Sequence, residues 1–326
     1  MKGEILKLLK ETGGYLSGQE LCERFGVSRT AVWKVMNQLK DEGYEIEAVR
    51  NKGYVLRSTP DVLSKEELES TIHTDWAGAN VFFFERTDST NTRIKRLAES
   101  GEPHGTLAVA EIQDGGKGRR GRSWVSPPGV GIWMSLLLRP QIDSVSASML
   151  TLVMALSVSR GIKETTGIDT QIKWPNDLVL NRKKICGILT EMSTELMEIQ
   201  YVVIGSGINV SQEGFPEEIK ETATSLLIET GKQYRRSSIV AQVMKAFEEY
   251  YQSFCETEDM SGLKEEYNKR LVNLGREVLV LAPSGEFSGI SEGINEKGAL
   301  IVRLADGTKT EVISGEVSVR GVYGYV

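Results

Sequence analysis

The sequence predicts an α+β protein of several domains: a winged helix-turn-helix, then a central α+β domain with a mixed sheet, then a small β barrel. Three observations predict it. Three short helical patterns, the second and third with serine caps, and two short strands come first, and longer strands mixed with helices follow. The last stretch has short alternating strands separated by glycine turns. We therefore expect domains at residues 1–62, 66–270 and 273–326.

The first domain is predicted from its capping residues. Ser17 with Glu20 forms a capping box for the second helix, and Ser28 caps a third helix over 29–41. A hairpin follows, whose turn at 50–53 is basic and ends on glycine. A structural three-helix cap would give the same pattern, but the local excess of cations favours DNA binding. The residues expected to contact DNA are Ser28, Arg29, Thr30, Lys34, Arg50 and Lys52.

The remaining boundaries follow from changes in composition. Pro60, Asp61 and the acidic segment 64–69 mark the end of the first domain. From residue 275 the strands become short and alternate with glycine turns. These strands are expected at Glu277–Leu281, Phe287–Ile294, Leu300–Arg303, Thr310–Ile313 and Val317–Val319.

Composition excludes several classes of protein. The net charge of −6 opposes whole-protein attraction to nucleic acid, although a local basic face can still bind DNA. Only two histidines occur, neither in a metal-ligand or catalytic-triad spacing, so histidine-based catalysis is not expected. The three cysteines form no closely spaced pair and are expected to be reduced thiols. No apolar run is long enough to span a bilayer, so we expect a cytoplasmic protein without membrane contact.

The most informative segment is a basic glycine loop at residues 115–124, GGKGRRGRSW, which places four cations among four glycines before a tryptophan. Glycine lets backbone N–H groups approach an anion, and arginine grips oxygen atoms in pairs. The loop lacks the spacing of a P-loop or a Rossmann turn. A solvated charged loop is the ordinary alternative, but the neighbouring polar segments favour a phosphate or carboxylate site.

Three further segments place polar groups where a core sheet should be apolar. Residues 88–91, DSTN, lie between a strand and a helix, where Ser89 or Thr90 could equally be a helix cap. Residues 173–177, KWPND, form a rigid polar turn, and residues 205–210, GSGINV, end a strand with glycines that permit close backbone approach.

Taken in this order, the loop, KWPND and GSGIN segments behind a winged helix resemble the bacterial biotin–protein ligases that double as biotin operon repressors. The resemblance covers the whole chain. It implies a class II synthetase-like catalytic domain and an SH3-like barrel. It also implies that ATP and biotin form biotinyl-5'-adenylate, whose biotin passes to a lysine of an acceptor. Because the carboxylate of biotin is the nucleophile, no serine, cysteine or histidine nucleophile is required.

The resemblance also implies roles for individual residues. The biotin-binding residues would be Ser89, Thr90, Asn91, Gln113, Lys117, Gly118, Arg119 and Lys184. The adenylate and ATP residues would be Arg120, Arg122, Trp124, Lys173, Asn176, Asp177 and Asn209. Arg119 and Lys184 would be catalytic, and Mg²⁺ would be held through the nucleotide, with Asp177 as a candidate ligand. Lys117 stands where the family pattern has arginine, which keeps the charge but removes a bidentate contact.

The implied partners are a biotin carboxyl carrier domain, operator DNA and, when ligand is bound, a second copy of the chain. Three alternatives remain open at this stage. The protein could be a transcription factor that senses biotin or its adenylate but turns over poorly. It could be a ligase whose DNA-binding domain is vestigial. It could also be an acyl-adenylate ligase for lipoate or octanoate.

Overall fold

The computed structural model describes residues 1–196, 198–282, 285–313, 318–321 and 325–326. Over these residues the order of elements confirms the predicted fold class. A helical domain with a two-stranded wing comes first, a seven-stranded mixed sheet with helices follows, and a five-stranded antiparallel sheet comes last. Among the described residues, no helix combines the length and apolar character needed to cross a bilayer.

The first domain is a winged helix with its own apolar core. Its elements are α1 Lys2–Thr12, α2 Gly18–Phe25, α3 Arg29–Asp41, β1 Glu45–Val49 and β2 Gly53–Ser58. The bounds of α3 match the prediction because the Ser28 hydroxyl caps the helix by accepting a hydrogen bond from the Ala31 N–H at 3.2 Å. The wing requires Gly53, since φ is +106° and a Cβ atom there would lie 1.9 Å from the Leu16 carbonyl oxygen.

The central domain is organised by a seven-stranded sheet of order β3-β4-β5-β9-β8-β7-β6. Only β3 and β4 run parallel, so the sheet is mixed, as predicted. The strands are β3 Val81–Thr87, β4 Leu107–Gln113, β5 Gly131–Leu138, β6 Gln171–Lys173, β7 Asp177–Leu180, β8 Lys183–Glu195 and β9 Glu198–Asn209. The helices are α4 Lys65–Thr71, α5 Thr90–Glu99, α6 Leu150–Thr166, α7 Leu226–Thr230, α8 Arg236–Thr257 and α9 Lys264–Arg270.

The two faces of the sheet are covered differently, and this difference positions the site. Helices α6 and α8 pack against one face and form the main core. On the opposite face, α5 buries Ile94 and Ala98 against Ala108, Leu137 and Val203 of β4, β5 and β9, and Phe84 of β3 packs against this cluster. The rest of this second face, over β8 and the end of β9, is left to the basic loop.

The segment expected to be a simple boundary, residues 64–69, belongs to helix α4. The Glu67 side chain is buried, with 2% of its surface exposed. It accepts hydrogen bonds from the Tyr44 hydroxyl at 2.7 Å and the Ser237 hydroxyl at 2.8 Å, and it pairs with Lys10 at 2.8 Å. Because these partners come from the winged helix and from α8, α4 joins the first two domains as well as separating them.

The last domain is a five-stranded antiparallel sheet of order β13-β12-β11-β10-β14. Its strands are β10 Glu277–Ala282, β11 Gly285–Ile294, β12 Leu300–Arg303, β13 Lys309–Val312 and β14 Ser318–Gly321. Of the strand expected at 317–319, residue 317 lies outside the described residues. The domain is fixed to the central one where the Trp174 indole donates to the Gly298 carbonyl at 3.0 Å.

Candidate active site

A pocket lies on the open face of the central sheet, between the start of α5 and the basic glycine loop. Ten of the fifteen residues that the resemblance assigns to biotin or nucleotide line it. These ten are Ser89, Thr90, Asn91, Gln113, Lys117, Gly118, Arg119, Trp124, Asn176 and Lys184. The pocket therefore brings together assigned residues that are separated in the sequence by up to 95 positions, from 89 to 184.

The floor of the pocket is made of glycines on β8 and β9, and at each of these positions neighbouring atoms leave no space for a Cβ atom. A Cβ atom at Gly205 would lie 2.0 Å from the Asn91 amide oxygen. At Gly187 or Gly207 it would lie 2.7 or 2.6 Å from the Trp124 ring. Any side chain at these positions would overlap the pocket wall or the indole.

One wall of the pocket is polar and internally hydrogen-bonded. The Gln113 side-chain oxygen accepts from the Thr90 backbone N–H at 2.8 Å, and its NH₂ group donates to the Ser126 hydroxyl at 2.8 Å. The Ser135 hydroxyl, buried beneath, donates to the Asn91 oxygen at 2.6 Å. A capping role for Ser89 is not seen, because its hydroxyl makes no cap hydrogen bond at the start of α5. The wall therefore presents hydroxyl and amide groups in fixed positions.

Asn91 has a further role in the wall. Its NH₂ group donates to a Glu191 oxygen at 2.8 Å and to the Leu189 carbonyl at 3.3 Å, and Lys95 pairs with Glu191 at 2.6 Å. Burial would raise the pKa of Glu191, but Lys95 and Asn91 outweigh it and lower that pKa. With the hydrogen bond from Ser135 to its oxygen, three of the four hydrogen-bonding positions of this amide are occupied. Asn91 therefore links the polar wall to β8.

The opposite side of the pocket is cationic. Among the described residues that line it, Lys117, Arg119 and Lys184 are charged and none is a carboxylate. The Arg119 guanidinium donates to the Asn176 oxygen at 2.7 Å, and burial lowers its pKa from the ordinary value. Three cations around a cavity without a carboxylate form a site for an anion.

A buried carboxylate, Asp177, stands behind this cationic side. It lies 2.6 Å from Lys184 and accepts from the Asn176 NH₂ group at 2.9 Å. Burial alone would raise the pKa of Asp177, but Lys184, Tyr325 and Lys173 outweigh it and hold that pKa below its ordinary value. The carboxylate is therefore ionised and fixes Lys184 at the pocket.

The basic loop is folded back on itself as a short hairpin. The Gly118 N–H donates to the Arg122 carbonyl at 2.7 Å, and the Trp124 N–H donates to the Gly116 carbonyl at 2.8 Å. A Cβ atom at Gly116 would lie 2.4 Å from the Trp124 carbonyl oxygen, so glycine is required there. This fold turns Trp124 inward onto the glycine floor.

Trp124 occupies much of the pocket. Its ring packs edge-on to Trp133, with centroids 6.4 Å apart, and Lys184 Nζ lies 5.2 Å from its centroid. Its indole nitrogen is buried and has no hydrogen-bond partner among the described residues. The remaining cavity is about 50 Å³, well below the roughly 300 to 1,000 Å³ typical of ligand sites. The pocket must therefore widen to admit a ligand of ordinary size, and the Trp124 indole is one of the groups that limit it.

Five residues assigned to nucleotide lie outside the pocket lining. Arg120 lines an adjacent groove together with Arg119, and Arg122 is exposed on the loop. Lys173 and Asp177 lie behind the cationic side. Asn209 is buried, and its NH₂ group donates to the Thr224 carbonyl at 3.0 Å, which fastens the segment after β9. Contact with nucleotide stays a prediction for all five.

The Cys186 thiol and the His104 imidazole, both in the central domain, lie outside this pocket. Burial raises the pKa of the Cys186 thiol well above its usual range, and the residue belongs to the core on the other face of the sheet. His104 accepts from the Arg139 backbone N–H at 3.0 Å, and its ring centroid lies 4.4 Å from that of Trp76 with the two planes tilted by 51°. The described part of the pocket contains neither a thiol nor an imidazole.

Comparison with known proteins identifies the family. Models described as HTH domain, biotin/lipoate A/B protein ligase family and biotin protein ligase C terminal domain match residues 3–55, 83–209 and 274–320. The bifunctional ligase/repressor BirA of Bacillus subtilis (strain 168) is 38% identical over 312 residues, 95% of this chain and 96% of that protein. The chain belongs to the BirA family. BirA of Escherichia coli (strain K12) is 30% identical, covering 96% of this chain and 95% of that protein.

Solved structures agree with the BirA assignment. The biotin protein ligase from Aquifex aeolicus in complex with biotin and ATP superimposes with a TM-score of 0.67 at 36% identity. The match covers 74% of this chain and 99% of that protein. An unliganded structure of the same ligase gives a TM-score of 0.63 at 33% identity.

Sequence reasoning missed several residues of this BirA family site. Three of them lie inside strands: Ser135, Gly187 and Glu191. Of these, Gly187 alone could have been recognised from the local sequence, because an isolated glycine inside a strand pattern indicates close approach of another group. Tyr325 was missed because it reaches Asp177 from 148 residues away. On helix α3, Trp33 was also passed over, and its side chain is 55% exposed beside Arg29 and Thr30.

Proposed function

We propose that this chain is a biotin–protein ligase that also represses the biotin operon. It forms biotinyl-5'-adenylate from biotin and ATP and transfers biotin to a lysine of a biotin carboxyl carrier domain. One observation supports the ligase above all. In a BirA family chain, a single pocket combines a hydrogen-bonded polar wall, a glycine floor and three cations without a carboxylate.

The first step joins two anions, and the pocket is suited to that difficulty. A carboxylate oxygen of biotin attacks the α-phosphorus of ATP, the new C–O–P bond forms, and the bond to pyrophosphate breaks. Two unit charges about 4 Å apart repel by about 4 kcal/mol at an effective dielectric near 20. Lys184 and Arg119 line the pocket where they would offset this repulsion and stabilise the charge that develops on the phosphate oxygens.

In the second step the acceptor lysine, as a neutral amine, attacks the carbonyl carbon of the anhydride. An amide bond forms, AMP leaves with the bonding pair, and the amine loses a proton. No side chain of this protein forms a covalent bond to biotin, which agrees with the absence of a thiol or imidazole from the described pocket lining. The protein contributes by positioning and electrostatics.

Magnesium would be bound mainly through the nucleotide. Among the described residues, no group of three or more acidic, histidine or cysteine side chains could hold a metal ion. Asp177 is occupied by Lys184 and Tyr325. This donor set fits the ordinary behaviour of Mg²⁺, which keeps several waters and is held largely by substrate phosphates. When bound, the ion would neutralise phosphate charge beside Lys184 and Arg119.

The proposal is tested by mixing the purified chain with biotin, MgATP and a biotin carboxyl carrier domain. We expect the carrier to gain the mass of one biotin, with one pyrophosphate released per transfer. Pyrophosphate or a tightly held adenylate without transfer would favour the biotin-sensing transcription factor. Modification with lipoate or octanoate, uninhibited by free biotin, would favour the alternative acyl-adenylate ligase.

Trp124 supplies the first prediction. Because its indole covers the glycine floor, binding of biotin and ATP should displace it and change the tryptophan emission of the wild-type protein. The Trp124→Phe variant should lose most of this change. The matched control is Trp33→Phe, since Trp33 is exposed on α3 in the winged helix and should keep the full signal. A complete wild-type response in Trp124→Phe would contradict the displacement.

The repressor half of the proposal is supported by the surface of the winged helix. Arg29, Thr30 and Lys34 are exposed along α3, and Arg50 and Lys52 are exposed at the tip of the wing. Arg29 is steadied by Gln19, whose side-chain oxygen accepts from it at 3.0 Å. A helix with a polar exposed face beside a basic wing suits insertion into a major groove with phosphate contacts on its flank.

A homodimer formed when ligand is bound would present two such winged helices to a palindromic operator. The central domain has apolar surface for it: Met192 lines the groove beside Arg119 and Arg120, and the neighbouring Val145 is 79% exposed. Sedimentation with and without biotin and MgATP tests this. A chain that stays monomeric in both conditions at micromolar concentration would remove the dimer from the proposal.

Lys52 supplies a second prediction. Its ammonium lies 5.4 Å from the Tyr15 ring centroid at the exposed wing, a position suited to a phosphate contact. Lys52→Ala should weaken operator binding and reduce the slope of log K against log salt by about one. Lys163→Ala, an exposed lysine at the end of α6, is the control and should leave the slope unchanged. If wild type and Lys52→Ala give the same salt-dependence slope, Lys52 in the wing does not contact the DNA.

A further inference from the structure

Residues 325 and 326, which follow the antiparallel β domain in the chain, lie against the central domain behind the pocket. Val326 packs with Val179 and Val272, and Tyr325 packs against this cluster. Arg182, in the turn between β7 and β8, donates to the Val326 carbonyl oxygen at 3.1 Å. The segment is therefore held to β7 by both apolar and polar contacts.

Tyr325 contacts two charged residues at once. Its hydroxyl donates to Asp177 Oδ2 at 2.5 Å, and Lys173 Nζ lies 3.3 Å from the centroid of its ring. Lys173 and Asp177 are paired across the neighbouring strands β6 and β7. One aromatic side chain from outside the sheet thus holds an anion by its hydroxyl and a cation by its ring face.

From Asp177 the contacts continue to the pocket. Asp177 Oδ1 is held by Lys184 at 2.6 Å and by the Asn176 NH₂ group at 2.9 Å. The Asn176 oxygen in turn accepts from Arg119 at 2.7 Å. The two oxygens of one buried carboxylate are therefore divided, with Oδ2 facing Tyr325 and Oδ1 facing the residues that line the pocket.

This division fixes the orientation of the carboxylate. A buried carboxylate is stable only when both oxygens find donors, because an unpaired buried charge is costly. Without the Tyr325 hydroxyl, Asp177 would rotate to share Lys184 and Asn176 between its two oxygens, and both groups would shift relative to the pocket. A displacement of about 1 Å in a catalytic group is enough to lower a rate strongly.

We propose that Tyr325 is a positioning residue for adenylate formation, which acts by orienting Asp177 so that Lys184, Asn176 and Arg119 keep their places at the pocket. The inference deepens the proposed function and rests on it. It gives a role in the chemistry to the segment that follows the last domain, since Tyr325, which aligns the cationic side, belongs to that segment.

The competing explanation is that the Tyr325–Asp177 hydrogen bond only attaches the last domain to the central one. A double-mutant cycle separates the two. If Tyr325 acts through Asp177, removing its hydroxyl should matter only while Asp177 is present. If it acts only as an attachment, its loss should lower thermal stability and affect turnover equally in either background.

The experiment measures biotin-dependent ATP–pyrophosphate exchange and thermal unfolding for wild type, Tyr325→Phe, Asp177→Ala and the double variant. Tyr325→Phe should lower kcat by about tenfold and leave the KM for biotin within about twofold, a pattern typical of lost transition-state interactions. In the Asp177→Ala background the same change should alter kcat by less than about twofold. The control is Tyr250→Phe, because the Tyr250 hydroxyl also donates to a carboxylate, Glu266 at 2.6 Å, between α8 and α9.

Three outcomes would overturn the inference. Tyr325→Phe could retain the wild-type kcat, it could lose tenfold in both backgrounds, or Tyr250→Phe could lose as much. The proposed function is tested separately by the wild-type protein. Absence of biotin-dependent exchange there overturns the ligase and this inference together, whereas normal wild-type exchange that Tyr325→Phe retains overturns the inference alone.

Discussion

Replacing Lys184 by methionine is expected to slow biotinyl-adenylate formation by about 10²- to 10³-fold, the usual cost of removing one group that stabilises developing charge. Lys184 lines the pocket and is held there by Asp177 at 2.6 Å. Methionine keeps the length of the side chain and removes the charge. The measurement is the single-turnover rate of adenylate formation at saturating biotin and MgATP.

Two further variants make the Lys184 result specific. Lys183→Met changes the adjacent lysine of β8, which does not line the pocket, and should keep the wild-type rate. Lys184→Met also removes the cation in direct contact with Asp177, which should lower the free energy of unfolding by about 1 to 3 kcal/mol. Adding Asp177→Asn should recover part of that stability without recovering the rate. A rate within tenfold of wild type in folded Lys184→Met would show that another cation performs this task.

Elements whose ends are set by local chemistry were predicted well from the sequence. Helix α3 begins and ends where its serine cap and apolar spacing place it, at residues 29 and 41. Helix α4 was not predicted, because its acidic sequence resembles a solvated boundary. It is stabilised by distant partners of Glu67, which lie in the winged helix and in α8. Local propensity cannot reveal a contact that depends on the assembled domains.

In the candidate site, too, the sequence predicted what depends on local residues and did not predict what depends on distant contacts. Residues in glycine-rich or polar segments, such as Ser89, Gln113 and Arg119, were found because polar groups interrupt an apolar strand pattern. Asp177 was also singled out from the sequence, and its contact with nucleotide stays a prediction, but its surroundings were not predicted. Lys184 reaches Asp177 because β7 and β8 form a hairpin, and Tyr325 reaches it from a segment far along the chain. Sequence pattern indicates which side chains are unusual, whereas their partners follow only from topology.

Gly205→Ala is expected to weaken biotin binding by about 5- to 150-fold, because overpacking at a single site costs about 1 to 3 kcal/mol. A Cβ atom at this position would lie 2.0 Å from the Asn91 oxygen. Asn91 would have to move, and its hydrogen bonds to Ser135 and Glu191 would be lost with it. The measurement is calorimetric titration with biotin, alongside thermal unfolding of each variant.

The origin of this effect can be separated from general damage. Gly214→Ala is the matched control, since a Cβ atom there would meet nothing within 4 Å and its φ is not in the left-handed region. Combining Gly205→Ala with Asn91→Ala removes the overlap and should restore thermal stability. Biotin affinity should remain weak in this pair, because the side chain that ties the polar wall to β8 is then missing. If Gly205→Ala binds biotin within threefold of the wild-type affinity, the polar wall can move without loss of binding energy. Biotin binding would then not depend on the position of Asn91.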